Sequence, residues 1–453
     1  MTDDATLDTT LDGDAAASRG TTRDRHPESS PDVTPADALT GTAAADQRSR
    51  RWYDPRRFGW WALFVYAIPV YVVSRLCVLV GAAVVAAELR VDTNLAQERG
   101  LELADPHGNA PLGNAVRPML DVFTSWDGLW YLEIVRSGYP TAVPADVTYH
   151  VDEARAAFFP LFPLFGDWAD RILPGGDSLA VLLLNTILGL VAITLMGALA
   201  RRLYGDRVAR RTIVLCALFP GSFVFSFAYS EALMLVFAAA CLLMLVEREW
   251  VAAGVFAALA TATRPNGLAL AVACAVAAFF AIRERREWRS LISLALAPIG
   301  FLTFQVWLGR HTGETGVWFR VQREAWDEGA SFGSTAVRNT AEAVAQPLTS
   351  PTDTITALSV VTTVILLVLA WRVRLNWILM AYSLAILVLM LTPATVTARP
   401  RFLFTAFPLL IAAAKWYEGR RHDDDVWWSL TIAACGAGLA GLTGLYGVFG
   451  AIP

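Results

Sequence analysis

The run Ser125-Trp126-Asp127-Gly128-Leu129-Trp130-Tyr131, followed by Ile134 and Gly138-Tyr139, sets one carboxylate among aromatic rings. Further along, Ala157-Phe158-Phe159-Pro160-Leu161-Phe162-Pro163 is again aromatic and proline-rich. A carboxylate held between aromatics at a membrane surface can act as a base beside a lipid headgroup and a sugar. The rings offer faces for sugar stacking and exclude water. The same residues also suit a plainer role, with Trp126 and Trp130 as interfacial anchors and Asp127 capping the helix that follows. Residue chemistry alone leaves both open.

Glu231 is a second carboxylate, inside an otherwise unbroken apolar stretch or at its turn. A charge at such depth is costly, which argues for function. Its plainer role is a helix-start charge favoured by the helix dipole. Asn266 follows Arg264-Pro265, so it is either a turn former or a site residue. Tyr139 and Tyr229 are candidates for sugar hydroxyls, although interfacial tyrosines are common. Asp121, Glu133, Asp152 and Glu153 make an acidic loop of a kind that can hold a divalent cation, but such loops are more often only solvated. No cofactor and no obligatory metal are therefore expected. The five histidines (His26, His107, His150, His311, His422) lack ligand spacing. All five cysteines (Cys77, Cys216, Cys241, Cys274, Cys435) sit in apolar runs, where they act as small hydrophobes.

These residues need elements to hold them, and the composition says what kind. Of the 453 residues 55% are hydrophobic and only 17% charged, and the mean hydropathy is positive. A soluble chain of this length carries about a quarter charged residues, so the apolar excess needs lipid to cover it. The reading is an all-α polytopic membrane protein with about eleven transmembrane helices and a large first extracytoplasmic loop. The spans fall at roughly 60–87, 178–200, 212–230, 231–246, 250–263, 267–282, 290–309, 354–371, 375–392, 402–417 and 426–449. Residues 1–57 form a cytoplasmic tail. Most of it is polar and poor in aromatics, too little apolar surface to offset ordering, so disorder is expected. It does not resemble a signal peptide, since its start is acidic and no apolar core follows. Residues 58–453 are the membrane-embedded domain. Four glycines in the last span, Gly436, Gly438, Gly441 and Gly444, suggest close helix packing.

Arginine distribution tests the map. Arginine-rich stretches precede the first span and recur at Arg201–Arg211, Arg283–Arg289, Arg372–Arg374 and Arg420–Arg421. With eleven spans all of them fall on one side, which the positive-inside rule makes cytoplasmic. Loops at about 88–177 and 310–353 then lie outside a plasma membrane, and the first carries helices suited to lying in the interface. Shorter turns at Tyr229–Glu231, Arg264–Asn266 and Thr392–Arg401 reach the same face. The net charge of −4 argues neither for nor against a nucleic-acid partner, and none is expected.

The pattern W-D-x-x-W-Y-x-x-I-x-x-x-G-Y, then A-F-F-P-L-F-P, resembles the PIG-V family. Its members are mannosyltransferases that add the second mannose in glycosylphosphatidylinositol-anchor assembly, together with bacterial relatives. Other matches follow in order: Phe219-Pro220-Gly221-Ser222 with Tyr229-Ser230-Glu231, Thr263-Arg264-Pro265-Asn266-Gly267, and Arg399-Pro400-Arg401-Phe402 through Phe407-Pro408. The stretch Gly316–Trp326, with Gln322, resembles a loop of the bacterial members more loosely. The resemblance covers roughly residues 60–420.

It implies a GT-C type enzyme that transfers mannose from a polyprenyl-phosphate-mannose donor, with inversion, to an extracytoplasmic glycolipid or glycan. On that reading Asp127 matches the family's loop carboxylate and becomes the expected base, with Glu231 as the second catalytic candidate. Arg264, Arg399 and Arg401 are expected at the departing lipid phosphate, which a planar guanidinium suits. Trp126, Trp130, Tyr131, Tyr139, Tyr229, Asn266 and Gln322 complete the expected substrate-binding set. Absence of a Rossmann fingerprint, a Walker A loop and an external D-x-D motif fits a lipid-phosphate donor. Expected partners are membrane lipid, donor and acceptor, with a partner membrane subunit left open. The competing class is a transporter or lipid-linked-sugar flippase, which should show internal repeats and charges deep within several spans.

Overall fold

The computed structural model describes residues 60–98, 116–394, 398–419 and 425–448. The expected tail over 1–57 lies outside them, and so does part of the first loop. Among the described residues there is no strand, only one isolated bridge between Ala330 and Pro393. Among the described residues six helices are long and apolar enough to cross a membrane: Trp61–Glu88, Asp177–Tyr204, Pro265–Arg285, Trp288–Thr312, Pro351–Arg372 and Val426–Gly447. Two shorter apolar helices, Trp250–Thr263 and Trp377–Leu391, lie between them in sequence.

Proline divides the chain more finely than hydropathy does. The residue before a proline is pushed out of the helical region, and proline itself suits the first turn of the next helix. Arg399, ahead of Pro400, is extended, and so is Arg264, ahead of Pro265. Two expected spans are corrected on this account. The stretch 212–230 is not one helix: Asp206–Leu218 ends, and Pro220 opens a 3-10 turn, Pro220–Phe225. The stretch 402–417 is divided between Pro400–Thr405 and Pro408–Glu418.

The helix Glu231–Glu247 is almost wholly buried. It is apolar all round, the pattern of a helix enclosed by others. It packs against Trp250–Thr263, Asp177–Tyr204 and Ala269–Arg285, so Glu231 at its start is presented by the centre of the bundle. The helix of residues 425–447 runs along the first helix. Its tightest approach comes from the other side, because a Cβ on Gly81 would fall on the Ala440 carbonyl oxygen. Gly441, expected in that packing, faces open space instead.

Breaking a helix inside lipid orphans carbonyls, and water is not there to take them. Two polar residues of the apolar spans take that role. Arg75, nearly buried in the first long helix, donates to the carbonyls of Ser222 at 2.9 Å and Ala217 at 3.2 Å, and to the hydroxyls of Ser222 and Ser226. Asn185 donates to the carbonyls of Val224 at 2.7 Å and Phe227 at 2.6 Å. Arg75→Leu is expected to lose about 1–3 kcal/mol for each carbonyl left without a donor. Thermal melting in detergent checks this, and an unchanged melting temperature would remove Arg75 from the role.

The arginine-rich turns at 201–211, 283–289 and 372–374 meet at one end of the bundle; Arg420, Arg421 and the arginines before the first span lie outside the described residues. Arg202 pairs with Glu247, Arg207 with Glu418 at 3.3 Å, and Arg248 with Glu287 at 3.0 Å. Lys415 donates to the Val373 carbonyl, and the Asn376 amide to the Tyr204 hydroxyl. Arg248 and Arg286 both end helices in the left-handed conformation, where cations are favoured by the helix dipole. At the opposite end Asp177, which starts a 28-residue helix, pairs with Arg136 of the first loop. That helix is about 42 Å long, enough to separate the two ends by a bilayer's thickness.

Candidate active site

Four charged residues from four distant segments meet at the end away from the arginine turns. Asp127 begins the helix Asp127–Ser137, Glu231 begins the buried helix, Arg264 precedes Pro265, and Arg401 lies in the helix Pro400–Thr405. Arg401 Nη1 donates to Asp127 Oδ2 at 2.7 Å and lies 3.7 Å from Glu231 Oε1. Arg264 Nη1 lies 2.9 Å from Glu231 Oε2 and 4.0 Å from Asp127 Oδ2. It also donates to Ser230 Oγ at 3.0 Å, and that hydroxyl shares a hydrogen bond with the Tyr131 hydroxyl. Two positive and two negative groups therefore share one compact, formally neutral cluster.

Their accessibility differs. The Glu231 side chain is 0% exposed, whereas that of Asp127 is 20% exposed. Glu231 is near two guanidiniums, yet neither of its oxygens accepts a hydrogen bond in good geometry. The Tyr229 hydroxyl and Arg401 Nε are likewise buried without hydrogen-bond partners. Buried polar groups are nearly always satisfied, so several exceptions in one place mark a site rather than a core. The Arg401 guanidinium stands over the Tyr229 ring at 5.5 Å and the Phe402 ring at 4.7 Å, contacts suited to guanidinium faces.

The helix-cap role for Asp127 does not hold. Trp126 is the cap, no side chain makes the capping bond, and the Asp127 carboxylate is turned to Arg401. Trp126 adopts φ 57°, a left-handed conformation rare for a bulky residue. It is anchored by its indole nitrogen, which donates to the Tyr446 carbonyl at 3.0 Å. Strain of this kind, adjacent to Asp127, is typical of functional positions.

Beside the cluster stands an aromatic wall. Trp130 is buried, stacked on Phe158 at 5.5 Å and edge-on to Tyr149 at 4.7 Å. Trp326, from the second loop, lies 5.7 Å from Trp130 and 5.2 Å from Tyr149. Arg320 binds the carbonyls of Pro144 and Val143 while paired to Glu314 at 2.6 Å, which joins the two loops. Burial, followed by the Asp127 charge, pushes the Tyr149 phenol up to about 12, against the pull of Arg401.

The other expected residues make no hydrogen bond or ion pair with the four charged side chains among the described residues. Tyr139 donates to the Phe158 carbonyl at 2.7 Å and packs on Phe304 and Trp307. Asn266 sits in the 3-10 turn Pro265–Leu268, and among the described residues its side chain makes no hydrogen bond. Gln322 is half-buried on the helix Val317–Ala325, equally without a side-chain bond among the described residues. Arg399 is fully buried but turns to Thr352 and Thr356 rather than to the carboxylates. Of the acidic loop residues, Glu133 pairs with Arg155 and Glu153 accepts from Thr148. Sequence reasoning missed Arg75, Asn185, Ser230, Tyr149 and Trp326. Arg75 and Asn185 carried a signal as isolated polar side chains within apolar runs, and Ser230 and Trp326 lie in the matched stretches Tyr229-Ser230-Glu231 and Gly316–Trp326.

Close packing holds the halves of the site together. A Cβ on Gly221 would fall on the Pro400 carbonyl oxygen and lie 2.8 Å from Phe404 Cβ. Gly221→Ala must push the Pro400–Thr405 helix, and Arg401 with it, away from Asp127. Overpacking of this kind costs about 1–3 kcal/mol. Thermal melting should register it, with Gly441→Ala unchanged as the control; equal melting of both would show that the contact yields freely.

Among curated proteins no sequence matches the chain. Solved structures of similar course include ArnT from Cupriavidus metallidurans bound to undecaprenyl phosphate, at 15% identity and a TM-score of 0.46, covering 74% of this chain and 76% of that one. The oligosaccharyltransferase AglB from Archaeoglobus fulgidus, in complex with an inhibitory peptide and a dolichol-phosphate, gives 14% identity and a TM-score of 0.39, covering 82% and 55%. A family model described as dolichyl-phosphate-mannose-protein mannosyltransferase matches residues 160–309, about a third of the chain.

Proposed function

We propose that this chain is a membrane glycosyltransferase of the GT-C type that transfers mannose from polyprenyl-phosphate-mannose to a glycolipid or glycan. The observation that carries the reading is the neutral cluster of Asp127, Glu231, Arg264 and Arg401 at one end of a bundle of apolar helices. The matched family model supports the donor class, and the motif order resembling the PIG-V family supports mannose. The reading keeps about eleven crossings, the number that leaves the arginine-rich stretches of the sequence on one side. The positive-inside rule makes that side cytoplasmic and the cluster extracytoplasmic.

The cluster suggests a sequence of events. An incoming lipid phosphate competes with Asp127 for Arg401, which frees the more accessible carboxylate. Asp127 then takes the proton of the acceptor hydroxyl as its oxygen bonds to the anomeric carbon. The bond from that carbon to the phosphate oxygen breaks, and its electron pair leaves with the lipid phosphate, held by Arg264 and Arg401. One displacement inverts the anomeric centre. Glu231, wholly buried, is assigned a positioning role: it fixes both guanidiniums and does not touch substrate.

The test is transfer of radiolabelled mannose from polyprenyl-phosphate-mannose into lipid or protein by membranes carrying the chain. Labelled product is expected, and its mobility would identify the acceptor. No incorporation from any prenyl-linked sugar, with the protein inserted and candidate acceptors present, would turn the reading to a transporter or flippase. The charges do not favour that class: the carboxylates gather at the ends of helices, and Arg75 within a span is occupied by backbone carbonyls.

A further inference from the structure

A second concave feature lies at the arginine-rich end, away from the charged cluster. It is a pocket of about 360 Å³ between the start of the first long helix and the turn joining Asp177–Tyr204 to Asp206–Leu218. One wall is apolar, with Leu63, Val65 and Tyr66; the other carries Arg201, Asp206 and Arg210. Arg201 Nε pairs with Asp206 Oδ1 at 2.5 Å. Arg210 lies over the Tyr66 ring at 5.8 Å and has no carboxylate partner among the described residues. Neighbouring arginines are committed elsewhere, Arg202 to Glu247 and both Arg207 and Arg211 to Glu418. Among the described residues the pocket therefore keeps one net positive charge, held in place by an aromatic face.

Its depth is informative. The apolar wall belongs to the first turns of a candidate span, Trp61–Glu88. Trp61, one turn before Val65, is 75% exposed, as a residue of the aromatic belt would be. The guanidiniums thus sit at headgroup level and the apolar wall begins where acyl chains begin. Basic pockets between helices at this level suit anionic lipid headgroups.

We infer that the pocket formed by Tyr66, Arg201 and Arg210 binds an anionic phospholipid, with the phosphate at Arg210 and the first acyl carbons along Leu63 and Val65. Asp206 orients Arg201 and leaves Arg210 as the residue that selects for charge. A free phosphate ester has the same anionic chemistry but gains nothing from the apolar wall.

The full chain in detergent is titrated with phosphatidylglycerol, phosphatidylcholine or glycerophosphoglycerol, and adducts are counted by native mass spectrometry. Phosphatidylglycerol should bind in preference to phosphatidylcholine, and glycerophosphoglycerol should not displace it at equal concentration. A cationic residue near an anionic surface is worth about 1 kcal/mol, so Arg210→Ala should weaken phosphatidylglycerol binding about fivefold and Arg210→Glu about thirtyfold. Arg338→Glu, an exposed arginine of the second loop, should leave it unchanged. If Arg210→Glu does not fold, Arg210→Gln replaces it, with about the fivefold loss. Wild-type affinity in the Arg210 variants, or equal binding of the two lipids, overturns the site. Displacement by glycerophosphoglycerol at equal concentration overturns the lipid assignment.

Discussion

Replacing Asp127 by asparagine is expected to slow mannose transfer about 10²–10⁴-fold, the usual worth of a positioned general base. The amide keeps the size of the side chain and can still accept a hydrogen bond from Arg401, but it cannot take a proton from the acceptor hydroxyl. The chain should insert as before, because Asp127 is the more exposed of the two carboxylates and Arg401 retains Glu231. Initial rates in membranes matched for protein amount give the comparison. Transfer near the wild-type rate would end the assignment of Asp127 as base. Loss of transfer without loss of insertion, in contrast, separates chemistry from folding.

The second large effect is expected at Arg401. Its side chain is 7% exposed and serves both carboxylates from one nitrogen. Arg401→Ala leaves Asp127 and Glu231 with Arg264 alone, and breaking a buried pair from one side costs about 3–5 kcal/mol. A marked drop in thermal melting should accompany loss of transfer. Arg401→Lys is the more informative variant. It keeps the charge, so the fold should survive, but an ammonium lacks the planar fork and the ring contacts with Tyr229 and Phe402. A fall in kcat of about 10²–10³-fold is expected, the scale seen when one stabilising donor is lost. Full activity in the lysine variant would show that charge alone suffices. Wild-type melting in the alanine variant would mean that Arg401 does not hold the cluster.

Much of the candidate site is legible in the residues themselves. Asp127 stands out among the aromatics of the first loop, Arg264 and Arg401 at external turns, and Glu231 at the edge of an apolar stretch where a carboxylate is expensive. Arg399 shows the boundary of that legibility. It stands two residues from Arg401 and carries the same group, yet the extended conformation before Pro400 turns it toward Thr352 and Thr356. Arg401, inside the helix that Pro400 starts, points to Asp127. Spacing does not separate the two; the backbone direction at the helix start does. Tyr139 and Gln322 make no bond to the cluster among the described residues for a related reason, since an aromatic or an amide in a loop is directed by packing that the local sequence does not encode.

By itself the sequence determined which stretches are apolar enough to lie in lipid, because burial in a bilayer needs only length and hydropathy. It also carried the breaks at Pro220, Pro265 and Pro400, where proline pushes the preceding residue out of the helical region, although Pro69 stays inside the first long helix. Tertiary structure decided which charges pair, and how the broken backbone between Leu218 and Tyr229 is satisfied by Arg75 and Asn185 from other helices. Those contacts join residues from about 40 to about 270 positions apart. Their geometry depends on helix packing, such as the approach of Gly221 to Pro400, and no local pattern of residues specifies it.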